Sequence, residues 1–389
     1  MISKINPLIQ AVFYNNPDLY PPIINSSRLL ACENIQVDIL CRENGQHWGV
    51  TYPEAVTIRR FEHKSAPSWQ AYLPFVVTVW RQGRRDASLF VGHDMHGLLP
   101  ARLLASRYKR PLVYHCHDFA DKSRHLPTGS RVVRMFERLF AKTADLVIVP
   151  DKERAQVVLR ELNLPKFPLI VANSPIRPYA VSSHRLSQSL GALNKKYNRI
   201  LLRQGRIAVG HAIEATLQSM PLWQDPSWAF VIVGLAEENY RQHLWRLASL
   251  LGVEDRFVIL PPVNYDEVQS YTVSADAGHA LYEPIHINNM FITTASNKIM
   301  EYMAAGLPLL VSDRPGLRDL VQDYACGMVA DENSPDSIAQ AVNSLFCNPE
   351  VTRQLGEASL KAFVDKYNYK YQFDPVLKAM GALINQSRA

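Results

Sequence analysis

The stretch TTASNKIMEYMAAGLPLLV, residues 293–311, decides the fold of the second half of this chain. Its apolar residues recur at helical spacing up to Gly306, which stands where a C-terminal cap belongs. The run that follows is typical of a buried strand. Ser296 or Thr294 can cap the start of the helix, which leaves the free N–H groups near Asn297 facing outward. A helix start of this kind favours a bound anion.

Lys298 and Glu301 give this helix start two interpretations. In the first, they form an i,i+3 ion pair on an ordinary helix of an α/β domain. In the second, the N–H groups and Lys298 hold a diphosphate, and Glu301 binds a pair of sugar hydroxyls. The stretch alone leaves both interpretations open.

The composition is typical of a globular protein with more than one domain. The chain has 389 residues, of which 47% are hydrophobic and 20% are charged, and these values suit two or three domains. Its five cysteines show no CxxC or CxxH spacing, which argues against a disulfide scaffold or a structural zinc site. We expect no signal peptide, because the N-terminal apolar run is too short, and no membrane span, because no run approaches roughly 18 apolar residues.

Basic residues are concentrated in the first half of the chain. Residues 1–190 carry 25 Lys and Arg against 15 Asp and Glu, a net charge of +10, whereas the remaining residues have a net charge of −4. A basic half can bind nucleic acid, an anionic membrane surface or an acidic substrate. No RNA or DNA motif accompanies the charge, so we expect no nucleic-acid partner.

Short apolar runs alternate with helix-length segments along the whole chain. The runs predict strands over residues 10–14, 36–41, 56–61, 89–92, 111–117, 146–150, 168–172, 200–202, 229–233, 257–260, 277–281, 308–311 and 328–330. Such alternation predicts an α/β fold with parallel sheets covered by helices on both faces. The polar segment 176–198 lacks a strand and predicts the connection between two domains. We therefore expect two Rossmann-like domains that face each other across a cleft, at 1–190 and 191–370. A final helix over 376–385, within the C-terminal segment 371–389, would pack back toward the first domain.

Polar side chains follow several predicted strands of the first half. In parallel sheets, ligands bind beyond the carboxyl ends of the strands. The candidates at these positions are Asn16, Tyr20, His93, Asp94, His117 and Asp118. Histidine and carboxylate are also metal ligands, so a metal-dependent hydrolase is an alternative. The second half offers no histidine in a ligand pattern, which weakens that alternative.

Glycines follow two predicted strands of the second half. Gly205 and Gly234 would let the backbone approach a phosphate closely, and Arg206 offers planar, permanently charged donors for a diphosphate. Glu283 ends the strand before the helix at 297, and the loop 285–295 could cover a ligand bound there.

Two segments of the first half combine apolar residues with arginines. In residues 68–85 the run SWQAYLPFVVTVW precedes Arg81, Arg84 and Arg85, and residues 131–142 set arginines against valine, leucine and phenylalanine. Both suit helices that lie on anionic lipid, so we predict a peripheral membrane contact there. The alternative is that both are core-facing helices with solvated arginines.

The second half resembles a known family. The order GR…VIVG…FVIL…YEP…SNKIMEYMAAGLPLLVSD…GMVADENSPDSIAQAVNSLFCNPE is similar to the C-terminal domain of retaining GT-B glycosyltransferases of the glycosyltransferase family 4 type. The match covers about residues 199–370, and the first half is similar more loosely, through HDMHGLLPA, HCHD and TADLVIVPDK. The resemblance implies that the C-terminal domain holds a nucleotide-diphosphate sugar and the N-terminal domain an acceptor. It also implies retention of anomeric configuration with no metal and no other cofactor.

The resemblance assigns roles to single residues. Arg206 matches the diphosphate-binding arginine of the family, and Asn297 and Lys298 fall where its phosphate-facing helix begins. Glu301 matches the second glutamate of the Glu-x7-Glu pair, which binds the donor ribose. His117 matches the histidine that hydrogen-bonds the region of the transferred sugar. The implied catalytic residues are therefore His117, Arg206 and Lys298. The implied donor-binding residues are Gly205, His211, Gly234, Glu283, Ser296, Asn297 and Glu301. The implied acceptor-side residues are Asn16, Tyr20, His93, Asp94 and Asp118.

The sequence departs from the family pattern at two positions. Thr293 stands where the first glutamate of the pair would be, and His211 replaces the second diphosphate cation, so we expect charge there to depend on pH. A catalytically silent GT-B protein that binds a nucleotide sugar is therefore an alternative, and a GT-B epimerase is another. Our main expectation is a hexosyl transferase that acts by front-face attack in cell-surface polysaccharide or glycolipid synthesis. We expect it in the cytoplasm, at the inner face of the membrane if the lipid contact holds.

Overall fold

A computed structural model describes most of the chain, namely residues 6–43, 49–62, 69–119, 128–179 and 191–387. Its contacts divide the chain into two units, Met1–Asn173 with Tyr369–Ala389, and Ser174–Asn368. Ser68 of the predicted membrane segment and residues 180–190 of the predicted connection lie outside the described residues.

Thirteen strands form in the described residues, and they make two sheets. They are β1 (Leu8–Phe13), β2 (Gln36–Glu43), β3 (Val56–Glu62), β4 (Leu89–His93), β5 (Leu112–His115), β6 (Leu146–Val149), β7 (Leu169–Ile170), β8 (Arg199–Gln204), β9 (Trp228–Val233), β10 (Phe257–Leu260), β11 (Ala277–Ala280), β12 (Leu309–Ser312) and β13 (Gly327–Ala330). The first unit has the order β3-β2-β1-β4-β5-β6-β7, and the second has β10-β9-β8-β11-β12-β13. All pairings are parallel, which confirms the two predicted Rossmann-like sheets.

Helices connect the strands and cover the sheets. Those in the described residues are α1 (Pro21–Cys32), α2 (Trp69–Gln82), α3 (Asp94–Tyr108), α4 (Thr128–Phe140), α5 (Lys152–Glu161), α6 (Gly191–Lys196), α7 (Ile213–Ser219), α8 (Glu238–Leu250), α9 (Tyr265–Thr272), α10 (Ile287–Met290), α11 (Asn297–Ala304), α12 (Pro315–Tyr324), α13 (Pro335–Phe346), α14 (Pro349–Ala362) and α15 (Tyr369–Gln386). In the first unit α2 and α4 both pack against α3, and α1 packs against α15. Among the described residues, no helix is long and apolar enough to cross a lipid bilayer.

The apolar runs of the sequence become strands because both faces of each sheet are covered. Every residue of β1, β4, β9 and β12 is buried, which explains why these strands show continuous apolar runs rather than alternation. Each of the thirteen predicted strands is confirmed, with ends that differ by a few residues.

The C-terminal helix begins earlier than the sequence predicts. α15 starts at Tyr369, not at 376, and Pro375 lies inside it. A proline inside a helix removes one helical hydrogen bond. Burial outweighs that cost here, because the stacked rings of Tyr369 and Phe373 are both buried. The Tyr369 hydroxyl also donates to the Pro22 carbonyl at 3.2 Å.

The strand order of each sheet reverses beside its first strand. In the second unit, β8 lies between β9 and β11, and in the first unit, β1 lies between β2 and β4. Crevices at the carboxyl ends of such strand pairs are where open α/β sheets bind ligands. The residues after β8 and β11, and after β1 and β4, are therefore the places to look for a site.

Candidate functional site

The start of helix α11 forms one wall of the candidate site in the second unit. Ser296 is its N-cap and accepts a hydrogen bond from the Ile299 N–H at 3.4 Å. The Tyr282 hydroxyl, from the loop after β11, lies 3.1 Å from Ser296 Oγ. Asn297 Oδ1 is buried and has no hydrogen-bond partner among the described residues. This arrangement is the predicted anion-favouring helix start, with one additional acceptor that is available to a ligand.

The glycines after β8 and β9 form a second wall. Gly205 has a φ of +89°, a conformation that suits glycine. A Cβ on Gly234 would lie 1.8 Å from the Gly205 carbonyl oxygen, so only glycine allows this close approach. A Cβ on Gly205 would lie 3.5 Å from Lys298 Nζ. The lysine at the start of α11 therefore lies directly over the glycine loop that carries the exposed Arg206.

Glu301 lies one turn further along α11 and is buried. Its Oε2 accepts a hydrogen bond from Gln204 Nε2, whose Oε1 accepts from the Thr272 hydroxyl at 2.8 Å. Burial raises the pKa of Glu301 to about 7, although the Gln204 hydrogen bond and the Lys298 charge lower it. The simple Lys298–Glu301 ion pair does not form in the part of the chain that the structure describes, because Glu301 is bonded to Gln204 instead.

A buried arginine lies behind this site. Arg203 is fully buried and bonds His279 Nδ1 at 2.9 Å, and its guanidinium carbon lies 5.2 Å from the centre of the Tyr282 ring. Its Nε and one terminal nitrogen have no hydrogen-bond partner among the described residues. Burial lowers the pKa of Arg203, but a guanidinium stays charged. Arg203 thus adds a positive field to the cations of the site.

His211 and Glu283 lie in the loops beside the glycine wall. Burial, together with nearby Arg203 and Lys298, holds the pKa of His211 well below its usual range. His211 is therefore a neutral imidazole at neutral pH, which differs from the expected pH-dependent charge. Glu283 Oε1 accepts a hydrogen bond from the Ala212 N–H at 3.3 Å and so supports the loop that carries His211.

Three buried histidines meet at the ends of β4 and β5 in the first unit. His93 Nδ1 and His117 Nε2 are 3.0 Å apart, and the ring centres of His115 and His117 are 4.0 Å apart. Burial lowers the pKa of His93 to about 3 and holds those of His115 and His117 well below their usual range. All three are neutral imidazoles, and the described residues offer no hydrogen-bond partner to His115 Nε2 or His117 Nδ1.

One nitrogen from each of these rings lies within 4.8 Å of the others, and three imidazoles are a donor set that zinc accepts. The hydrogen bond between His93 and His117 already uses one nitrogen of each ring. In the cluster, His93 and His117 are hydrogen-bonded and stacked, and the tilted His115 ring packs against both.

Asp94 fixes the backbone beside this cluster. It begins α3 with a φ of +54°, which is strained for a residue with a side chain. Its Oδ1 accepts from the backbone N–H groups of His117, at 2.8 Å, and Asp118, at 3.2 Å. Burial and the Asp118 charge raise its pKa to about 8. Arg154 donates to the His117 carbonyl at 3.0 Å, so both sides of the His117 backbone are held.

The other two candidates of the first unit are part of the same region. Asn16 is buried, and its side chain accepts from the Asp18 N–H at 3.1 Å. The Tyr20 ring meets the Phe13 ring edge-on at 4.7 Å, and its centre lies 6.1 Å from that of His117. The structure thus brings Tyr20, His93, Asp94, His117 and Asp118 together, while Asn16 caps the short turn that leads to Tyr20.

The sequence analysis missed several residues of both regions. Gln204 and Tyr282 in the second unit, and His115 and Arg154 in the first, contact the candidates but were not selected, and neither was Thr272, which contacts Gln204. For His115 a signal existed, because it lies two residues before His117 and so on the same face of the strand end. The others are revealed only by tertiary contacts.

Two protein families match the chain. The family described as "Glycosyl transferases group 1" matches residues 191–362, and the family described as "Glycosyl transferase 4-like domain" matches residues 27–174. Together the two matches span most of both structural units.

Curated relatives are similar at low identity. An uncharacterized glycosyltransferase from Methanocaldococcus jannaschii is 25% identical over 250 residues, which cover 62% of this chain and 60% of that protein. A D-inositol 3-phosphate glycosyltransferase from Geodermatophilus obscurus is 25% identical over 411 residues, with 94% and 85% coverage. The chain spans 60% of the length of each of the first two curated relatives it matches.

Solved structures share the fold. The Anabaena protein HepE in complex with UDP-glucose superposes with a TM-score of 0.74 at 16% identity, over 96% of this chain and 99% of that one. WaaG, a glycosyltransferase involved in lipopolysaccharide biosynthesis, gives a TM-score of 0.69 at 18% identity, with 96% and 99% coverage. At these identities the likeness shows the two-domain architecture alone.

Proposed function

We propose that this chain, which matches two glycosyltransferase families and has the GT-B fold, transfers a sugar from a nucleotide-diphosphate sugar to a glycan or lipid-linked acceptor. The observation that carries the proposal is the convergence in the second unit of a glycine loop, an open helix start and two cations. Lys298 lies over Gly205, and Arg206 follows it directly. These are the donors that a departing nucleoside diphosphate needs.

We propose that each part of this site contacts a different part of the donor. The diphosphate lies on Gly205, Arg206, Lys298 and the N–H groups near Asn297, and Gly234 leaves room for it. Glu301 binds the ribose hydroxyls, and neutral His211 serves as a hydrogen-bonding group near the phosphates. A structural neighbour supports this donor class, since HepE was solved in complex with UDP-glucose.

The proposed reaction retains the anomeric configuration by front-face attack. The acceptor hydroxyl arrives on the side of the leaving group, and a phosphate oxygen of the donor takes its proton. The new glycosidic bond forms as the bond between sugar and phosphate breaks. Arg206 and Lys298 stabilise the charge that develops on the diphosphate. The step uses no protein nucleophile, and we propose that it needs neither a metal nor another cofactor, so that a chelator leaves the rate unchanged.

We propose that the first unit binds the acceptor near the histidine cluster. His117 would hydrogen-bond the transferred sugar. Asp94 would hold the backbone of His117, and His93 would hold the His117 ring. Asn16, Tyr20 and Asp118 would line the acceptor side. A neutral imidazole suits this role because it can donate and accept without adding charge.

Binding of a nucleoside diphosphate is the first expected result. At a concentration about 100 times its Kd, a ligand stabilises the folded protein by about 2.7 kcal/mol, which corresponds to a rise in Tm of roughly 5 °C or more. A thermal-shift screen of UDP, ADP and GDP measures this effect. The matching nucleosides are the control, since they lack the group that Lys298 and Arg206 bind. A melting temperature that none of the three diphosphates raises above that of the protein without ligand would contradict the proposed donor site.

A second candidate is a catalytically silent protein that binds a nucleotide sugar. Thr293 in place of the first glutamate and the neutral state of His211 favour it, because both reduce the charged contacts available to the donor. It differs from the main proposal in one measurable way. Calorimetry would detect binding of the nucleotide sugar, while neither hydrolysis nor transfer would follow with any acceptor.

The outer face of helix α4 supports a membrane-linked acceptor. Val132, Met135 and Leu139 are 48%, 60% and 49% exposed, and Arg131 and Arg138 are exposed beside them. The side of α4 that faces the protein holds a buried ion pair between Arg134 and Glu137, at 2.5 Å. Helix α4 therefore differs from an ordinary core-facing helix in its three exposed apolar residues and its buried ion pair, although Val133 is buried in the core.

Helix α2 presents a similar outer face in the same layer, since α2 and α4 both pack against α3. Leu73, Val77 and Trp80 are 57%, 40% and 40% exposed, and the exposed Arg81 and Arg85 follow in the chain. We propose that these faces rest on anionic lipid at the inner face of the cell membrane. The acceptor would then be lipid-linked and its product part of a cell-surface polysaccharide or glycolipid.

Replacing apolar residues of this surface is expected to release the protein from lipid. The double variant Met135→Asp with Leu139→Asp should bind anionic vesicles more than tenfold more weakly. It replaces apolar side chains that would be buried in the lipid with negative charges. Sedimentation with anionic and with neutral vesicles measures the effect. Leu250→Asp, at a residue that is 86% exposed in the other unit, is the matched control. Failure of the unaltered protein to bind anionic vesicles at any salt concentration would refute the lipid contact.

A further inference from the structure

Gln204 and Thr272 form a buried chain with Glu301. We propose that these two residues are positioning residues, which aim the Glu301 carboxylate at the vicinal hydroxyls of the donor ribose. The inference rests on the proposed role of Glu301 in donor binding and adds two residues to that subsite. Neither residue touches the ligand, so both act through Glu301.

The three side chains come from three different elements. Gln204 is the last residue of β8, Thr272 is the last residue of α9, and Glu301 lies in α11. They are 3%, 0% and 5% exposed, respectively. A buried polar group costs free energy unless it is hydrogen-bonded. The chain of bonds is therefore fixed in place by its own burial.

The direction of the Gln204 amide follows from the Glu301 carboxylate. An ionised carboxylate can only accept, so the amide turns Nε2 toward Glu301 Oε2. Oε1 then faces the Thr272 hydroxyl at 2.8 Å, whose oxygen also lies 2.9 Å from the Val268 carbonyl oxygen. The Gln204 backbone is also held, because its N–H donates to the Tyr302 hydroxyl at 3.1 Å.

The consequence for Glu301 is a carboxylate with one oxygen occupied and, among the described residues, one available. Gln204 Nε2 binds Oε2 and so fixes the plane of the carboxylate, which leaves Oε1 for a ligand hydroxyl. Gln204 also directly precedes Gly205 of the glycine loop. Gln204 therefore links the position of the Glu301 carboxylate, which would accept from the ribose, to the position of the glycine loop at the diphosphate.

Two isosteric variants test the inference. Gln204→Met removes the amide at nearly constant volume, and Thr272→Val removes the hydroxyl at constant shape. Calorimetry is run with the nucleoside diphosphate among UDP, ADP and GDP that binds the unaltered protein most tightly, and with its 2′,3′-dideoxy analogue. We expect about tenfold weaker binding of the ribose form by Gln204→Met, and a smaller loss for Thr272→Val, with little change for the dideoxy form.

The control is a glutamine that makes the same bond on the surface. Gln242 Nε2 donates to Glu238 Oε1 at 2.9 Å, and both residues are exposed. Gln242→Met should leave both affinities unchanged. Circular dichroism and Tm confirm that each variant is folded, and Thr272→Val provides a second test if Gln204→Met does not fold.

The outcomes separate this inference from the proposed function. If the unaltered protein binds none of the diphosphates, the donor site itself is wrong. If it prefers ribose to dideoxyribose, and both variants keep that preference, the positioning role is overturned. Equal losses for ribose and dideoxyribose would also overturn it, because they would indicate general damage to the site. The inference is supported if the preference for ribose falls strongly in Gln204→Met and less in Thr272→Val.

Discussion

Lys298→Ala and Arg206→Ala are each expected to slow sugar transfer on the order of 100-fold, as for other donors that stabilise charge in a transition state. Lys298 is held in place before the substrate arrives. Its Nζ lies 5.7 Å from the centre of the Tyr282 ring and over the Gly205 loop. A cation that is already in position stabilises the developing diphosphate charge without a cost of reorganisation.

Initial rates over a range of nucleotide-sugar concentrations test this expectation. The loss should fall mainly on kcat, because the charge on the leaving group is greatest in the transition state. Lys361→Ala is the matched control, since this lysine lies in the same unit, is exposed and pairs with the exposed Asp365. Full transfer rates in both Lys298→Ala and Arg206→Ala would show that the proposed cation pair takes no part in the reaction.

The helix start at 297 shows how far the sequence alone could go. The Ser296 cap, the helix over 297–304 and the glycine at 306 are local features, set by side-chain chemistry and spacing, and all three are confirmed. The strands are confirmed for the same reason, because burial on both faces demands continuous apolar runs. Local signals therefore predicted the elements and, through the rule on strand ends, the place of the site.

The parts that could not be predicted depend on contacts between distant residues. Gln204 and Glu301 are 97 positions apart, and no local pattern announces their hydrogen bond. Helix α4 illustrates the same limit. Its arginines and apolar residues recur at helical spacing, but the Tyr114 hydroxyl donates to Glu137, and the Arg134–Glu137 pair is buried together with Val133. The periodicity predicted the helix, whereas the burial of this charged pair depends on a partner in a neighbouring strand.

Donor binding is expected to strengthen as the pH rises through about 7, where Glu301 ionises. Ribose hydroxyls donate most strongly to an ionised carboxylate. Below the pKa, binding must also remove the proton, so the affinity should fall about tenfold for each pH unit. A nucleotide sugar such as UDP-glucose is the suitable probe, because it lacks the terminal phosphate that titrates near pH 6. His211 adds no second change to the pH dependence of donor affinity, since its imidazole is already neutral in this pH range.

Glu301→Gln should both weaken donor binding and remove this pH dependence. Replacement of the charge-assisted hydrogen bond at Oε1 by a neutral one predicts a decrease in affinity on the order of 10-fold at high pH, and the amide that replaces the carboxylate does not titrate. Calorimetry at several pH values and constant ionic strength measures both effects, with the exposed Glu238→Gln as control. A variant that keeps the pH profile of the unaltered protein would assign the titration to another group and would separate Glu301 from the ribose. A flat profile with weaker binding identifies the buried carboxylate as the residue whose ionisation limits donor affinity.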